Sequence, residues 1–441
     1  MMKPTARQIA YNVLLKIFKD NAYSNLALNA ALKESQLDLR DKAFAGALVY
    51  GTCERLVTLD YALSCELSKP IGKLKAPVLT ILRLGAFQLL FMNSVPASAA
   101  VNESVRLAKL NGCSYAAGLV NAVLRNIDRN GLVLPDEKDG LKFLSVKYSC
   151  PQWLVEKWLT EYGEEKTESI LSCSLKADKL TLRVNTLKIT QNELCERFLS
   201  KDIECEKGAA EDSLALGSLS SSVEELEEFR SGLFHVQGIP SQLCAKALGA
   251  KEGDTVLDLC AAPGGKTFTL AQMMNNKGKI MAFDLYESRV ALIKKGAERL
   301  GLKIVEAAAG NAEVFNPSLK ESADCVLCDV PCSGLGIISK KPEIKFKKPD
   351  ELSSLPDIQY RILKNGSQYV KKGGRLVYST CTLNKAENEE VCLRFINENP
   401  NFKPEKPFPK FSNDCFATVF PNACNSDGFF TALFVKEGEN E

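Results

Sequence analysis

The segment Val256–Lys266, VLDLCAAPGGK, is the feature that most constrains the fold of this chain. Apolar residues lead into Asp258, a turn follows with Pro263, Gly264 and Gly265, and the helical pattern TFTLAQMM comes next. This order predicts a strand, a tight turn and a helix. Paired glycines allow a ligand to approach the backbone, and the helix N-terminus offers free N–H groups. The segment therefore predicts the cofactor-binding turn of a doubly wound α/β sheet.

A second apolar strand, KIMAFDLYESRV, follows and ends at Asp284. An acid in this place after a glycine-rich turn is suited to accept hydrogen bonds from the hydroxyl groups of a ribose. The alternative is that the glycines only form a turn and that Asp284 only caps the next helix. Further apolar segments, KIVEAAAG, ADCVLCDV, GGRLVYSTC and FFTALFV, alternate with helical patterns. They predict a parallel sheet covered by helices, with the last strand antiparallel at the edge.

Two of these strands end in cysteine-containing motifs. DCVLCDVPCSGLG places Asp329 and Cys332 just beyond one strand, and VYSTCTLNKAENEE places Cys381 just beyond another. Because the carboxyl ends of parallel strands meet at one edge, we expect both cysteines to lie at the cofactor edge.

The 441-residue chain is long enough for about two or three domains. Residues 1–135 carry helical periodicity without a strand pattern, which predicts an all-α bundle. Residues 145–240 mix helical and strand patterns and predict a small α+β module, with Trp158 in its core. Residues 241–438 form the predicted α/β domain. The net charge is only +2, but residues 1–130 contain 16 basic and nine acidic residues, which allows a local basic surface.

The sequence argues against a secreted protein, a membrane-spanning protein and a histidine metal site. The N-terminus shows no signal-peptide pattern and no apolar run reaches about 18 residues, so we expect a soluble cytoplasmic protein. The 16 cysteines are then expected to be reduced, most of them buried and one or two nucleophilic. His235 is the single histidine, which argues against a histidine metal cluster, and its apolar strand neighbours favour a structural role.

The motifs VLDLCAAPGGKT, DVPCSG and VYSTCTLNKAENE, in this order, resemble those of the RNA (cytosine-C5) methyltransferases that use S-adenosylmethionine. The helical N-terminal segment is similar to the NusB-like RNA-binding domain of the bacterial 16S rRNA branch, the Sun/Fmu family. The resemblance spans nearly the whole chain. It implies a Rossmann-like class I methyltransferase domain and methylation of an unstacked cytosine in 16S rRNA, without a metal, by a monomer.

The resemblance also assigns roles to positions of this sequence. Cys381 matches the nucleophile that adds to carbon 6 of cytosine, which makes carbon 5 reactive. Cys332 matches the second cysteine, which helps to release the adduct. Asp329 matches an acid near the methionine end of the cofactor that also contacts the cytosine. The cofactor-binding positions implied by the family are Cys260, Ala261, Ala262, Pro263, Gly264, Gly265, Lys266, Asp284, Asn311 and Asp329.

Two positions depart from the family pattern. The family has Gly-Asp after the third strand of the domain, where this chain has Gly310 and Asn311. An asparagine can still form hydrogen bonds with the cofactor. The family commonly has an acid after the glutamine of FHVQG, and this chain has Gly238. Its contribution is therefore absent here or supplied by another residue.

Other interpretations of individual segments stay open. Cys325, Cys328 and Cys332 could suggest a metal site, but residues three apart on a strand point to opposite faces. The run KKPEIKFKK at 340–348 could be a solvated loop, although its position after the cysteine motif favours phosphate contact. For the whole chain, the alternatives are an RNA-binding assembly factor with a vestigial catalytic half and the same reaction on tRNA.

Overall fold

A computed structural model describes residues 4–20, 22–176, 179–219, 222–408, 414–424 and 426–438. The described residues form two compact units. The first contains the residues up to Lys176 together with Ile338–Lys347, and the second contains the rest. Among the described residues, no helix has both the length and the apolar character needed to cross a bilayer.

The first unit is helical. Its core contains large apolar side chains such as Leu14, Leu48, Leu59 and Leu124, all fully buried. Trp158 is also fully buried, as predicted. The helices are α1 (Ala6–Asp20), α2 (Ser24–Glu34), α3 (Leu39–Glu54), α4 (Leu56–Glu66), α5 (Ala76–Phe91), α6 (Ala97–Leu110), α7 (Ala117–Asn130), α8 (Gly140–Lys147), α9 (Gln152–Tyr162) and α10 (Glu164–Cys173).

One predicted helix is divided in the structure. The pattern RDKAFAGALVYGTCERLVTLDYAL suggests a single helix, but the backbone turns at Arg55, with φ −94° and ψ 12°, between α3 and α4. Neither glycine nor proline stands at Arg55 to mark the break, and both helices carry apolar residues at helical spacing. Periodicity alone therefore does not reveal this boundary.

The segment Ile338–Lys347 lies within the helical unit and corrects one interpretation of the lysine run. Lys345 is only 2% exposed, and its ammonium donates to the backbone carbonyl of Glu54 at 2.7 Å. Glu343 accepts hydrogen bonds from the amide and hydroxyl of Ser24. Burial lowers the pKa of Lys345 to about 8. Lys345 is thus a structural contact of the bundle, whereas Lys340, Lys341 and Lys348 are exposed.

The second unit begins with a small antiparallel sheet in the order β2-β3-β1-β4. Its strands are β1 (Leu180–Val184), β2 (Cys205–Lys207), β3 (Ser213–Leu216) and β4 (Phe234–Val236). Helix α11 (Gln191–Leu199) packs on this sheet through Leu194 and Phe198, and a capping box at Thr190 and Glu193 fixes its start. The short helix α12 (Glu227–Arg230) precedes β4.

A larger sheet follows, with the order β10-β12-β9-β8-β5-β6-β7, and β11 also pairs with β12. Strands β5 to β9 are parallel to their neighbours in this sheet, apart from the pairing of β9 with β12. The strands are β5 (Thr255–Asp258), β6 (Lys279–Asp284), β7 (Val305–Ala309), β8 (Ala323–Asp329), β9 (Val370–Thr380), β10 (Phe402–Glu405), β11 (Phe416–Val419) and β12 (Phe429–Lys436).

The sheet forms the middle of three layers, with an apolar core on each face. One core joins it to α13 (Ile239–Leu248), α14 (Gly265–Met273) and α15 (Glu287–Leu300). The other joins it to α17 (Leu355–Tyr369) and α18 (Glu389–Glu398). The short helices α16 (Pro349–Leu352) and α19 (Pro421–Cys424) lie in connections. The predicted α/β architecture is confirmed, as is the helical N-terminal region.

Strand β12 corrects one detail of the prediction. It is antiparallel to β9 as expected, but β10 lies beyond it, so β12 is not the edge of the sheet. Its side chains are buried on both faces, Phe430 in one core and Leu433 in the other, as an interior strand requires. The chain reverses its direction across the sheet after β7, because β8 pairs on the other side of β5. This switch point places the carboxyl ends of β5 and β8 beside each other.

Candidate active site

The turn after β5 has the conformation that its glycines predict. Gly264 adopts φ +113° and ψ −3° and immediately precedes α14. The turn is closed by a 2.7 Å hydrogen bond from the Gly264 amide to the Ala261 carbonyl, and the Ala261 amide donates to the carbonyl of Phe283 of β6. The backbone is therefore held open at the N-terminus of α14, where free N–H groups favour a ligand carboxylate.

Replacing Gly264 by alanine is expected to destabilise the protein. A Cβ atom there would lie 2.2 Å from the Phe268 ring, in addition to the strain of positive φ. Gly253 is a matched control, since its φ is +90° but a Cβ would meet nothing within 4 Å. We expect Gly264→Ala to cost about 1–3 kcal/mol more than Gly253→Ala in urea unfolding. Equal unfolding free energies for the two variants would contradict this account of the turn.

Asp284 lies at the end of β6 and beside this turn. Its side chain is almost fully buried, and one carboxylate oxygen accepts from the Ala262 amide at 3.3 Å. Arg289 of α15 lies 3.3 Å from the same oxygen and also donates to the Ala262 carbonyl at 2.9 Å. Arg289 thus connects the predicted ribose acid to the glycine-rich turn. Sequence reasoning missed this residue, because no signal distinguishes it from any other arginine on an amphipathic helix.

Lys266 and Asp329 join the turn to the end of β8. The ammonium of Lys266 lies 2.6 Å from one Asp329 oxygen, and the Ser379 hydroxyl donates to the other oxygen at 2.7 Å. Burial disfavours the charged form of Lys266, but Asp329, together with Cys244 and Asp258, offsets this and raises the lysine pKa above its usual value. Lys266 therefore keeps its positive charge at the carboxyl edge of the sheet.

The two motif cysteines meet at this same edge. The Sγ atoms of Cys332 and Cys381 are 3.3 Å apart, although the residues are 49 positions apart in the chain. The hydrogen bond with Cys381, together with burial, raises the pKa of Cys332. The same hydrogen bond lowers the pKa of Cys381 against the effect of burial, while the charges of Asp329 and Lys266 act on it in opposite directions. The pKa values of the two thiols thus shift in opposite directions, and the 3.3 Å contact itself fits either sulfur as the donor.

Asn311 is less closely connected to the site. Its side chain is exposed and accepts a hydrogen bond from the Glu313 amide at 2.9 Å. The neighbouring Gly310 amide donates to the Asp284 carbonyl, so the β7 turn lies beside the end of β6. The Asn311 side chain therefore stands in a turn that adjoins the predicted ribose acid.

The remaining candidates have structural positions. Cys325 packs in one core of the large sheet and Cys328 in the other, so these two thiols lie on opposite faces, as the alternation along a strand predicts. His235 is buried beside Gln237, and burial lowers its pKa to about 3. Gly238 occupies the N-cap position of α13, where it has no side chain to accept a hydrogen bond from the helix.

The residues at the edge suit a ligand that contains both a ribose and an amino-acid group. A buried carboxylate at Asp284 can accept from ribose hydroxyls, and free N–H groups at the start of α14 can bind a carboxylate. The Phe268 ring occupies the place where a Cβ of residue 264 would stand, so only glycine allows this close packing of the turn. Exposed Leu285 and Tyr286 follow Asp284 directly and offer apolar surface for a base.

Family models match three regions of the chain, and two relatives match nearly its whole length. Residues 245–435 match the model of the 16S rRNA methyltransferase RsmB/F family, residues 4–129 match the NusB family, and residues 150–221 match the ferredoxin-like domain of RsmF/B-like methyltransferases. The chain is 40% identical to the probable ribosomal RNA small subunit methyltransferase B of Bacillus subtilis, over 99% of this chain and 100% of the relative. The corresponding protein of Synechocystis is 34% identical, over 98% and 99%.

Solved structures show the same architecture. The crystal structure of PH0851 covers 99% of this chain and 100% of its own, with a TM-score of 0.82 and 27% identity. A methyltransferase homolog protein from Pyrococcus horikoshii covers 68% of this chain and 99% of its own, with a TM-score of 0.59 and 28% identity. The chain therefore belongs to the 16S rRNA methyltransferase RsmB/F family and uses S-adenosylmethionine as its cofactor.

Proposed function

We propose that this protein transfers a methyl group to carbon 5 of a specific cytosine in 16S rRNA through a covalent adduct with Cys381. The observation that carries the proposal is the 3.3 Å contact between Cys332 and Cys381 beside the Lys266–Asp329 pair. Methyl transfer to a nitrogen or oxygen atom needs no thiol, whereas carbon 5 of cytosine is weakly nucleophilic and needs prior activation. Two thiols at the cofactor edge match that requirement.

The proposed reaction starts from a thiolate at Cys381 and a thiol at Cys332. The Cys381 thiolate forms a bond to carbon 6, and the electron density gained by the ring makes carbon 5 nucleophilic. N3 takes up a proton from water as the thiolate adds, Asp329 accepts a hydrogen bond from the resulting N3–H, and Lys266 stabilises nearby negative charge. When bound at the turn and Asp284, S-adenosylmethionine would supply an electrophilic methyl group, and its sulfur would keep the electron pair of the broken methyl–sulfur bond.

Release restores the aromatic base. Carbon 5 and N3 each give up a proton to water, the double bond between carbons 5 and 6 re-forms, and the bond from carbon 6 to sulfur breaks. Cys381 leaves as a thiolate, and the Cys332 thiol donates a hydrogen bond to the departing sulfur. All these steps require the target base to be unstacked from its RNA. We propose that the NusB-like helices and the small antiparallel sheet provide RNA contacts.

The substrate proposal rests on relatives whose printed names specify the small ribosomal subunit RNA, and on the basic residues of the N-terminal region. The test is transfer of labelled methyl groups to purified unmodified 16S rRNA and, in parallel, to bulk tRNA. Mass spectrometry then identifies the modified base. We expect 5-methylcytosine in the 16S rRNA alone. Label in tRNA alone, or at an atom other than carbon 5, would contradict the proposal.

A further inference from the structure

Glu387 is a completely buried acid that lies six residues after Cys381 and outside the assigned cofactor positions. Its two carboxylate oxygens accept four hydrogen bonds. One oxygen accepts from the Ser333 hydroxyl at 2.5 Å and from the Asn384 amide at 2.7 Å. The other accepts from the Ser333 backbone amide at 2.8 Å and from the Gln359 side chain at 2.9 Å. All four donors are neutral groups.

The same network holds the Cys332 loop on both sides of the cysteine. Ser333, which follows Cys332, donates twice to Glu387. Gln359 donates to Glu387 and also to the carbonyl of Pro331, which precedes Cys332, at 3.0 Å. The backbone on either side of Cys332 is thus connected to one carboxylate.

The Cys381 loop is held in a corresponding way. The Thr382 hydroxyl contacts the Ser333 hydroxyl at 2.6 Å, which joins the two cysteine loops directly. Asn388, next to Glu387, accepts from the Thr380 hydroxyl at 2.5 Å and donates to the Thr382 carbonyl at 3.0 Å. The residues before and after Cys381 are therefore attached to the segment that carries Glu387.

Burying a carboxylate with only neutral partners is costly, and an apolar or neutral residue would avoid the cost. We relate the negative charge of Glu387 to its position near Cys332. The negative charge of Glu387 adds to the hydrogen bond and to burial in raising the pKa of Cys332. The charged or titratable groups that act most strongly on Cys381 are Cys332, Asp329, Lys266 and Asp427. The charge of Glu387 therefore favours the protonated form of Cys332.

We propose that Glu387 is a positioning residue that holds the two cysteine loops in register and makes Cys332 the donor and Cys381 the acceptor of their contact. The inference rests on the proposed two-cysteine reaction. It adds a reason why Cys332 keeps its proton and donates to Cys381. Glu387 does not itself touch substrate or cofactor in this account.

Glu387→Gln tests the proposal, because the new amide group would face two of the four donors and the charge would be lost. Without RNA, we measure alkylation of Cys332 and Cys381 against pH by peptide mass spectrometry. The native protein should be alkylated mainly at Cys381. In the variant this preference should fall about tenfold, which corresponds to one hydrogen bond to a charged group. Turnover with RNA should fall by at least the same factor at unchanged cofactor affinity.

A second variant separates positioning from a general loss of structure. When Asn384→Asp is combined with Glu387→Gln, the glutamine amide can donate to the new carboxylate at position 384, and the negative charge returns one side chain away. The Asn384 oxygen already accepts from the Ala386 amide, which an aspartate preserves. We expect the double variant to recover most of the alkylation preference and of the turnover. Ser333→Ala removes a single donor and should lower the preference by a smaller factor.

Different results would overturn the role of Glu387 and the proposed function. A Glu387→Gln protein with native preference and native turnover would overturn the inference. So would a folded double variant no better than Glu387→Gln. If Glu387→Gln does not fold, an unchanged preference in Ser333→Ala would overturn it instead. A native protein that prefers Cys381 in alkylation but does not modify cytosine would refute the proposed function while leaving the alkylation test of Glu387 intact.

Discussion

Cys381→Ala is expected to abolish methyl transfer while leaving cofactor binding intact. Without the thiolate no bond to carbon 6 can form, and carbon 5 is not activated. We expect turnover to fall by at least about 10³-fold, a loss of roughly 4 kcal/mol of transition-state stabilisation. The glycine-rich turn and Asp284 do not depend on this side chain, so calorimetry should give a cofactor dissociation constant within about twofold of the native value.

Cys65→Ala is a suitable control, because Cys65 is an exposed thiol in the helical unit. It should leave both turnover and cofactor binding unchanged. If Cys381→Ala still methylates RNA at a normal rate, the covalent mechanism is wrong. If it loses cofactor binding as well, its inactivity no longer identifies the nucleophile.

Cys332→Ala is expected to have the second large effect and to leave a different product. The Cys381 thiolate can still add to the base, but its departure loses the neighbouring donor that lies 3.3 Å away in the native protein. Elimination should therefore become slower than addition. We expect a protein–RNA adduct that survives denaturing electrophoresis, at a level well above that of the native enzyme, after incubation with S-adenosylmethionine and unmodified RNA.

The double variant Cys332→Ala with Cys381→Ala provides the matched control for this experiment. It lacks the sulfur that forms the adduct and should give no denaturation-resistant complex. Normal turnover by Cys332→Ala without accumulation of the adduct would remove the role assigned to Cys332. An adduct of equal yield in the double variant would show that the bond is formed elsewhere in the protein.

The local order of the chain was predictable because it depends on neighbouring residues. Glycine at positive φ is required to turn the chain between β5 and α14, and alternating apolar residues produce strands buried on both faces. The sequence therefore predicted the α/β architecture, the helical N-terminal region and the convergence of Cys332 and Cys381 at one edge. The structure brings those two thiols together, while their assigned catalytic roles stay predictions.

Other features required long-range contacts. The interior position of β12 depends on β10, whose pairing a pattern of apolar residues does not specify. Lys345 lies in the same basic segment as several exposed lysines. Only its contact with the Glu54 carbonyl shows that Lys345, unlike them, is buried. Arg289 looks like an ordinary helix-surface arginine until its contacts with Asp284 and Ala262 are known.

The sequence by itself determined where the glycine turn lies, because glycine geometry belongs to single residues and short motifs, and its motifs predicted which two of the 16 cysteines react. Only the tertiary structure showed that the two thiols are in contact and that their electrostatic surroundings differ. Their pKa values depend on a 3.3 Å contact between residues 49 positions apart and on the charges of Asp329, Lys266 and Glu387. Electrostatic effects of this kind depend on distance and burial, which the order of residues does not contain.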